Sequence, residues 1–215
     1  MTTAVLDVAG EHLILRADRA LFWPRARALV IADPHFGKAD AFRAAGVPVP
    51  GGAEAELPRL AAALADTGAE RLVVLGDFWH AREGRTPALA AELAAWRAAR
   101  PGLRVELIRG NHDRAGQPPD GWGEWAAALC DAPFTFAHIP DPSDAGYVLA
   151  GHLHPGVVLT GRGRDRLRLP CFWFGPRVGV LPSFGAFTGT AEVAARPGDR
   201  VFAVAGDAVV DVTRG

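Results

Sequence analysis

The sequence predicts an α/β fold of two packed sheets with helices on their outer faces, in a single domain spanning residues 1–215. Three observations predict it. Short apolar runs alternate with one-face helical patterns up to about Gly156, only strand-like stretches follow, and four of the apolar runs end in clusters of Asp, Asn and His. A chain of 215 residues that is 49% hydrophobic is long enough to bury one substantial core.

The first interior strands are Leu29-Val30-Ile31-Ala32 and Leu72-Val73-Val74-Leu75, continuous apolar runs that stop at Asp-containing turns. Val105-Glu106-Leu107-Ile108 stops at Gly110-Asn111, and Tyr147-Val148-Leu149-Ala150 at Gly151-His152. Between them, Thr86-Pro87 reads as an N-cap and first-turn pair, with Leu89, Leu93 and Trp96 recurring on one face of the helix that follows. Pro58 to Ala65 places Leu60, Ala61 and Leu64 on a common face, and Trp122 to Leu129 reads as a third helix. After Gly156 come Val157–Thr160, Leu167–Trp173, Val178–Leu181 and Val201–Ala205, separated by Gly, Pro and Asp turns. Pro48 to Gly52 is the expected mobile loop.

Composition narrows the function classes. The 23 basic and 24 acidic residues leave a net charge of −1 and form no runs, so there is no footprint of tight, non-specific nucleic-acid binding, although a local groove of arginines stays open. Lys38 is the only lysine. No apolar run approaches the roughly 18 residues of a transmembrane helix, and Met1 to Gly10 does not read as a secretory signal. A cytoplasmic protein with no membrane partner is expected. Cys130 and Cys171 lie far apart, which excludes a zinc knuckle.

The chemistry lies in Asp33-Pro34-His35, Gly76-Asp77-Phe78-Trp79-His80, Gly110-Asn111-His112-Asp113 and Gly151-His152-Leu153-His154. Each follows a predicted strand, and open α/β sheets bind ligands beyond the carboxyl ends of their strands, so the four should converge on one cleft. Imidazole nitrogens with carboxylate and amide oxygens, and no thiolate, suit manganese, iron, zinc or nickel. Two divalent ions would bring four positive charges against two from Asp33 and Asp77, leaving a surplus that attracts phosphate.

In order and strand context these clusters resemble the signature of the calcineurin-like metallophosphoesterases. The resemblance implies a four-layer αββα sandwich of two mixed sheets flanked by helices, with two bound divalent metal ions. It implies that Asp33, His35 and His154 hold the first ion, that Asp77 bridges, and that Asn111, His152 and one further histidine hold the second. His138, in Phe136-Ala137-His138-Ile139-Pro140, is chosen over His12 and His80 for that place. By the same resemblance His112 is the catalytic histidine. Asp113 either orients it or caps the following turn, and His80 braces Asp77 or a backbone carbonyl from behind the ligands.

The stretch Asp33 to Pro50, with Leu169-Pro170-Cys171-Phe172-Trp173 and Leu181 to Gly189, is similar to one branch, the ligase-associated DNA damage response endonucleases. That similarity covers nearly the whole chain. It implies a manganese-dependent phosphodiesterase acting on DNA in repair, beside a DNA ligase and a helicase. Lys38 and Arg43 either contact substrate phosphates or are solvated. Trp79, Trp173, Phe184 and Phe187 either stack on bases or belong to the core. Two other readings stand beside this one: a small-molecule phosphoesterase of the UDP-diacylglucosamine hydrolase type, and a non-catalytic scaffold.

Overall fold

The computed structural model describes residues 2–47, 53–114, 116–161, 166–186 and 188–213. The expected loop at 48–52 and Phe187 lie outside them. In chain order the strands are β1 (Thr3–Val8), β2 (Glu11–Arg16), β3 (Leu21–Trp23) and β4 (Ala28–Ile31), then helices α1 (Lys38–Ala44) and α2 (Ala53–Thr67). β5 (Arg71–Leu75), α3 (Pro87–Ala98), β6 (Arg104–Ile108) and β7 (Trp125–Ala126) complete the first half. The second half is built from β8 (Ala128–Asp131), β9 (Phe134–Ala137), β10 (Tyr147–Ala150), β11 (Pro155–Thr160), β12 (Arg166–Phe174) and β13 (Val178–Val180). β14 (Ala191–Glu192), β15 (Arg200–Ala205) and β16 (Ala208–Asp211) end it.

Two mixed sheets result. One runs β1 to β7 in sequence order, antiparallel through β4 and parallel from β4 to β7. The other runs β14-β11-β12-β13-β10-β9-β8, with β15 and β16 joined through β12, and β9, β10 and β13 mutually parallel. Strand alternation divides the core. Ala28, Val30, Val73, Leu75 and Ile108 face the second sheet, where Phe134, Phe136, Leu149, Phe172 and Phe202 meet them. Trp23 of β3 and Phe134 of β9 close that seam edge to face, with ring centroids 5.0 Å apart. Leu29, Ile31, Leu72, Val74 and Leu107 face the other way, onto Leu57, Leu60 and Leu64 of α2 and Leu89 and Leu93 of α3. Each such side chain stabilises the fold by about 1.5–3 kcal/mol on burial.

The α/β sandwich and the interior strands agree with the sequence reading. α3 begins as expected, with the Thr86 hydroxyl accepting from the Leu89 amide at 3.2 Å. α2 starts earlier than Pro58, at Ala53. The helix expected over Trp122 to Leu129 is absent and must be corrected. Gly121 and Gly123 take left-handed φ of 77° and 101°, and the chain enters the sheets instead, Trp125 pairing with Leu107 and Leu129 with Phe136. Strand partners override the one-face pattern there.

Candidate metal centre

The parallel strands β4, β5 and β6 end at one edge of the first sheet, and β9 and β10 end beside them. The loops leaving these five strands carry Asp33 and His35, Asp77 and His80, Asn111 and His112, His138, and His152 and His154. Six of the seven histidines of the chain therefore meet in one place, and only His12 is elsewhere.

Two donor groups share Asp77. Ligand atoms of His35, Asp77 and His154 lie within 4.8 Å of one another, and so do those of Asp77, His138 and His152. In the first group His35 Nε2 and His154 Nε2 are 3.2 Å apart, and His154 Nε2 is 3.6 Å from Asp33 Oδ2. In the second, His138 Nε2 is 2.9 Å from Asn111 Oδ1, 3.1 Å from His152 Nδ1 and 3.5 Å from Asp77 Oδ1. The structure thus brings the seven sequence-predicted ligands together around Asp77, and ligand atoms of His35, His80 and His112 form a further group within 4.8 Å of one another.

The backbone bends hard to achieve this. Asp33, His35, Asp77, His152 and His154 all adopt left-handed φ, between 46° and 69°, a region non-glycine residues rarely enter. Close approach adds a second demand. A Cβ at Gly76 would run into the His138 ring, and one at Gly110 into the Asp77 backbone and carboxylate. Ring orientation is fixed from behind, since His138 Nδ1 donates to the Leu75 carbonyl at 3.0 Å and turns Nε2 toward the centre.

Electrostatics favour cations. Asp33 is fully buried, one carboxylate oxygen accepts from the His152 amide at 2.9 Å, and the other, Oδ1, has no hydrogen-bond partner. Burial, then the neighbouring Asp77 charge, pushes the Asp33 carboxyl well above its usual range. Burial and adjacent imidazoles hold His35 down to about 2 and His154 to about 4, so both present lone pairs rather than charge. An orphaned carboxylate oxygen among neutral imidazoles fits a divalent cation.

His112 sits at the rim with its side chain 40% exposed, Nε2 lying 3.9 Å from Asp77 Oδ2. Its Nδ1 donates to the His80 carbonyl at 2.6 Å, so His80 steers it through its backbone. Asp113 is placed otherwise than as an orienting partner for that ring. Its fully buried carboxylate accepts from the amides of Gly110, Trp79 and Phe78 at 2.9, 3.0 and 3.2 Å, tying the second cluster to the third.

The half-buried Lys38 opens α1, and its ammonium is near enough to depress His35, His80 and His154. Arg43 is exposed and bonds Asp40 at 2.8 Å, one helical turn back. Trp79 and Phe184 are core residues, and the half-buried Trp173 donates to Asp199 at 2.9 Å. Sequence reasoning missed α1 itself, whose left-handed Gly37 packs against the Gly84 backbone.

A sandwich of mixed sheets with a two-cation donor set at the strand ends defines a metal-dependent phosphoester hydrolase. The model of the calcineurin-like phosphoesterase family matches residues 26–167, and the chain belongs to that family. Among solved structures it is similar to the nuclease MPE of Pseudomonas putida, with 41% identity and a TM-score of 0.86 over 98% of this chain and 100% of that one. YfcE, a phosphoesterase from E. coli, is 16% identical with a TM-score of 0.45, covering 85% of this chain and 96% of its own. No curated protein matches.

Proposed function

We propose that this enzyme is a nuclease, cutting phosphodiester bonds in DNA with two divalent cations, manganese first among them. The observation that carries the reading is the pair of donor groups meeting at Asp77, with His112 at the open rim beside them. Asp33, His35, Asp77 and His154 would hold one cation, and Asp77, Asn111, His138 and His152 the other. When bound, such a pair polarises phosphoryl oxygens and lowers the pKa of water for in-line attack.

The residues of the chain do the rest. His112 keeps a proton on Nδ1 through its bond to the His80 carbonyl, which aims Nε2 at the cleft. In its imidazolium form Nε2–H protonates the departing oxygen. Lys38 supplies an ammonium beside the first donor group, positioned for a non-bridging phosphate oxygen. Arg43 stands further out on α1, where a longer strand would pass. Similarity to a nuclease over almost the whole chain supports a nucleic acid as the substrate, and the choice of DNA rests on the branch resemblance. A cytoplasmic repair role beside a DNA ligase and a helicase follows from the branch resemblance of Asp33 to Pro50.

The test is turnover of single-stranded DNA with manganese, run beside a nucleotide-lipid and simple aryl phosphodiesters. Cleavage of DNA that His112→Ala removes is expected. Intact DNA with rapid turnover of the nucleotide-lipid would replace this reading with the small-molecule one.

A further inference from the structure

Asp33 holds its left-handed conformation because a second segment grips its backbone. Its carbonyl accepts from the Ser183 hydroxyl at 2.7 Å and from the Gly185 amide at 3.3 Å, while the carbonyl of Ala32 accepts from the Phe184 amide at 2.7 Å. A single parallel bridge, Ala32 to Ser183, thus ties the end of β4 to residues 183–185. All three of those residues are buried, so their own carbonyls need donors from the protein.

Two arginines supply them. Arg19 Nη1 donates to the carbonyls of Ser183 and Gly185 at 3.4 and 3.2 Å. Arg59 of α2 donates to the Phe184 carbonyl and lays its guanidinium 4.1 Å from the centre of the Phe184 ring. Glu56, one turn earlier on the same helix and itself buried, accepts from the Ala186 amide at 3.2 Å. Arg19 belongs to the β2–β3 turn and is itself held at a φ of 66°. Burial, then the neighbouring Arg59, disfavours the charge on Arg19, and Glu56 and Asp18 offset part of the burial of Arg59. The N–H groups that bind these carbonyls are not available to a substrate phosphate.

We infer that Arg19 and Arg59 are positioning residues for the first cation set, acting through Ser183-Phe184-Gly185 on Asp33. The inference rests on the metal-centre reading but not on which phosphodiester is cut. It also gives the N-terminal hairpin, remote from the chemistry, a part in building the site. Loss of either arginine frees the 183–185 carbonyls, loosens the bridge and lets the Asp33 backbone relax toward ordinary φ. The second set, Asn111, His138 and His152, meets Asp33 through its carboxylate, on the His152 amide at 2.9 Å and with His138 Nδ1 3.5 Å away, and should weaken less than the first.

Manganese titration of the intact protein, followed by the electron paramagnetic resonance of free Mn2+, tests this without any substrate. Arg59→Met and Arg19→Met should each weaken one of the two binding steps by about tenfold, the lower end of what loss of an outer partner costs, and weaken the other step less. Arg59→Lys, which keeps one N–H for the Phe184 carbonyl, should recover most of the loss. Thermal unfolding of each variant identifies misfolding, and Ser183→Ala, which removes the hydroxyl donor to the Asp33 carbonyl, then carries the test with the same loss expected at one step. Two unaltered steps in folded Arg59→Met, or equal weakening of both, would overturn the inference. So would unaltered steps with a shallower salt dependence of DNA binding, because that makes the arginines backbone contacts. If the unsubstituted protein binds no Mn2+, the metal-centre reading fails instead.

Discussion

Asp113→Asn separates two roles that sequence alone leaves equal. In the structure Oδ2 accepts from the Gly110 and Phe78 amides and Oδ1 from the Trp79 amide, all in a fully buried position. An asparagine can keep its single oxygen on the two donors, but its NH2 group then faces the third, donor against donor. One buried amide left unpaired costs about 1–3 kcal/mol. Taking about 2 kcal/mol, a chain of 215 residues should lose about 4–8 °C of melting temperature. Asp113→Ala orphans all three amides and should cost more, about 3–5 kcal/mol after water enters the space. The assay pairs thermal unfolding with turnover at saturating manganese. Destabilisation with nearly intact turnover of the folded fraction is expected, since the His112 ring is held by the His80 carbonyl. An unchanged melting temperature with collapsed turnover would refute the reasoning and return Asp113 to an orienting role.

Other consequences are quicker to test. His112→Ala should lower phosphodiester turnover by about 10²–10⁴-fold, while both manganese-binding steps survive in a titration. Asp77→Ala removes the one carboxylate common to both donor groups and should abolish high-affinity binding at both, read as metal content after gel filtration. Cys130 is exposed, whereas Cys171 is fully buried with its thiol pushed up to about 12 by that burial. Ellman's reagent should therefore titrate one thiol in the native protein and two after denaturation.

What could be read in the sequence was what local chemistry dictates. β4, β5 and β10 are short, largely apolar runs buried on both faces, so they declare themselves without alternation, and β6 shares this only at Leu107 and Ile108. Their glycine-led polar ends carry the candidate ligands, because the loops approach so closely that a Cβ at Gly76 or Gly110 would collide with His138 or Asp77. The hairpins β1 to β3 were not singled out, since their buried positions are set by packing on the second sheet. The Trp122 to Leu129 pattern misled because Trp122 is buried by a tertiary contact, its Nε1 donating to the Leu93 carbonyl at 3.0 Å. Nothing in the sequence joins Arg19 or Arg59 to Asp33, for that link runs through carbonyls 164 to 166 positions further on from Arg19 and 125 from Arg59.

The strained ligand loops also say how the protein should respond to chelation. A left-handed φ costs a non-glycine residue about 1–2 kcal/mol, and five ligands share that conformation. Part of the cost is met by backbone bonds that cross between loops, His35 to the Asp77 carbonyl at 3.0 Å and Phe36 to the Phe78 carbonyl at 2.8 Å. Cations bind only the folded arrangement and add stability that grows with the logarithm of their concentration. Removing them should release the loops after β4, β6 and β10 while the fully buried strands stay closed. Amide hydrogen exchange after EDTA treatment should therefore speed up at His35, His112 and His152 and barely change at Val30, Val73 and Leu149. Uniform acceleration across those strands would mean that the cations hold the whole fold together, and that the sheets do not pre-form the site.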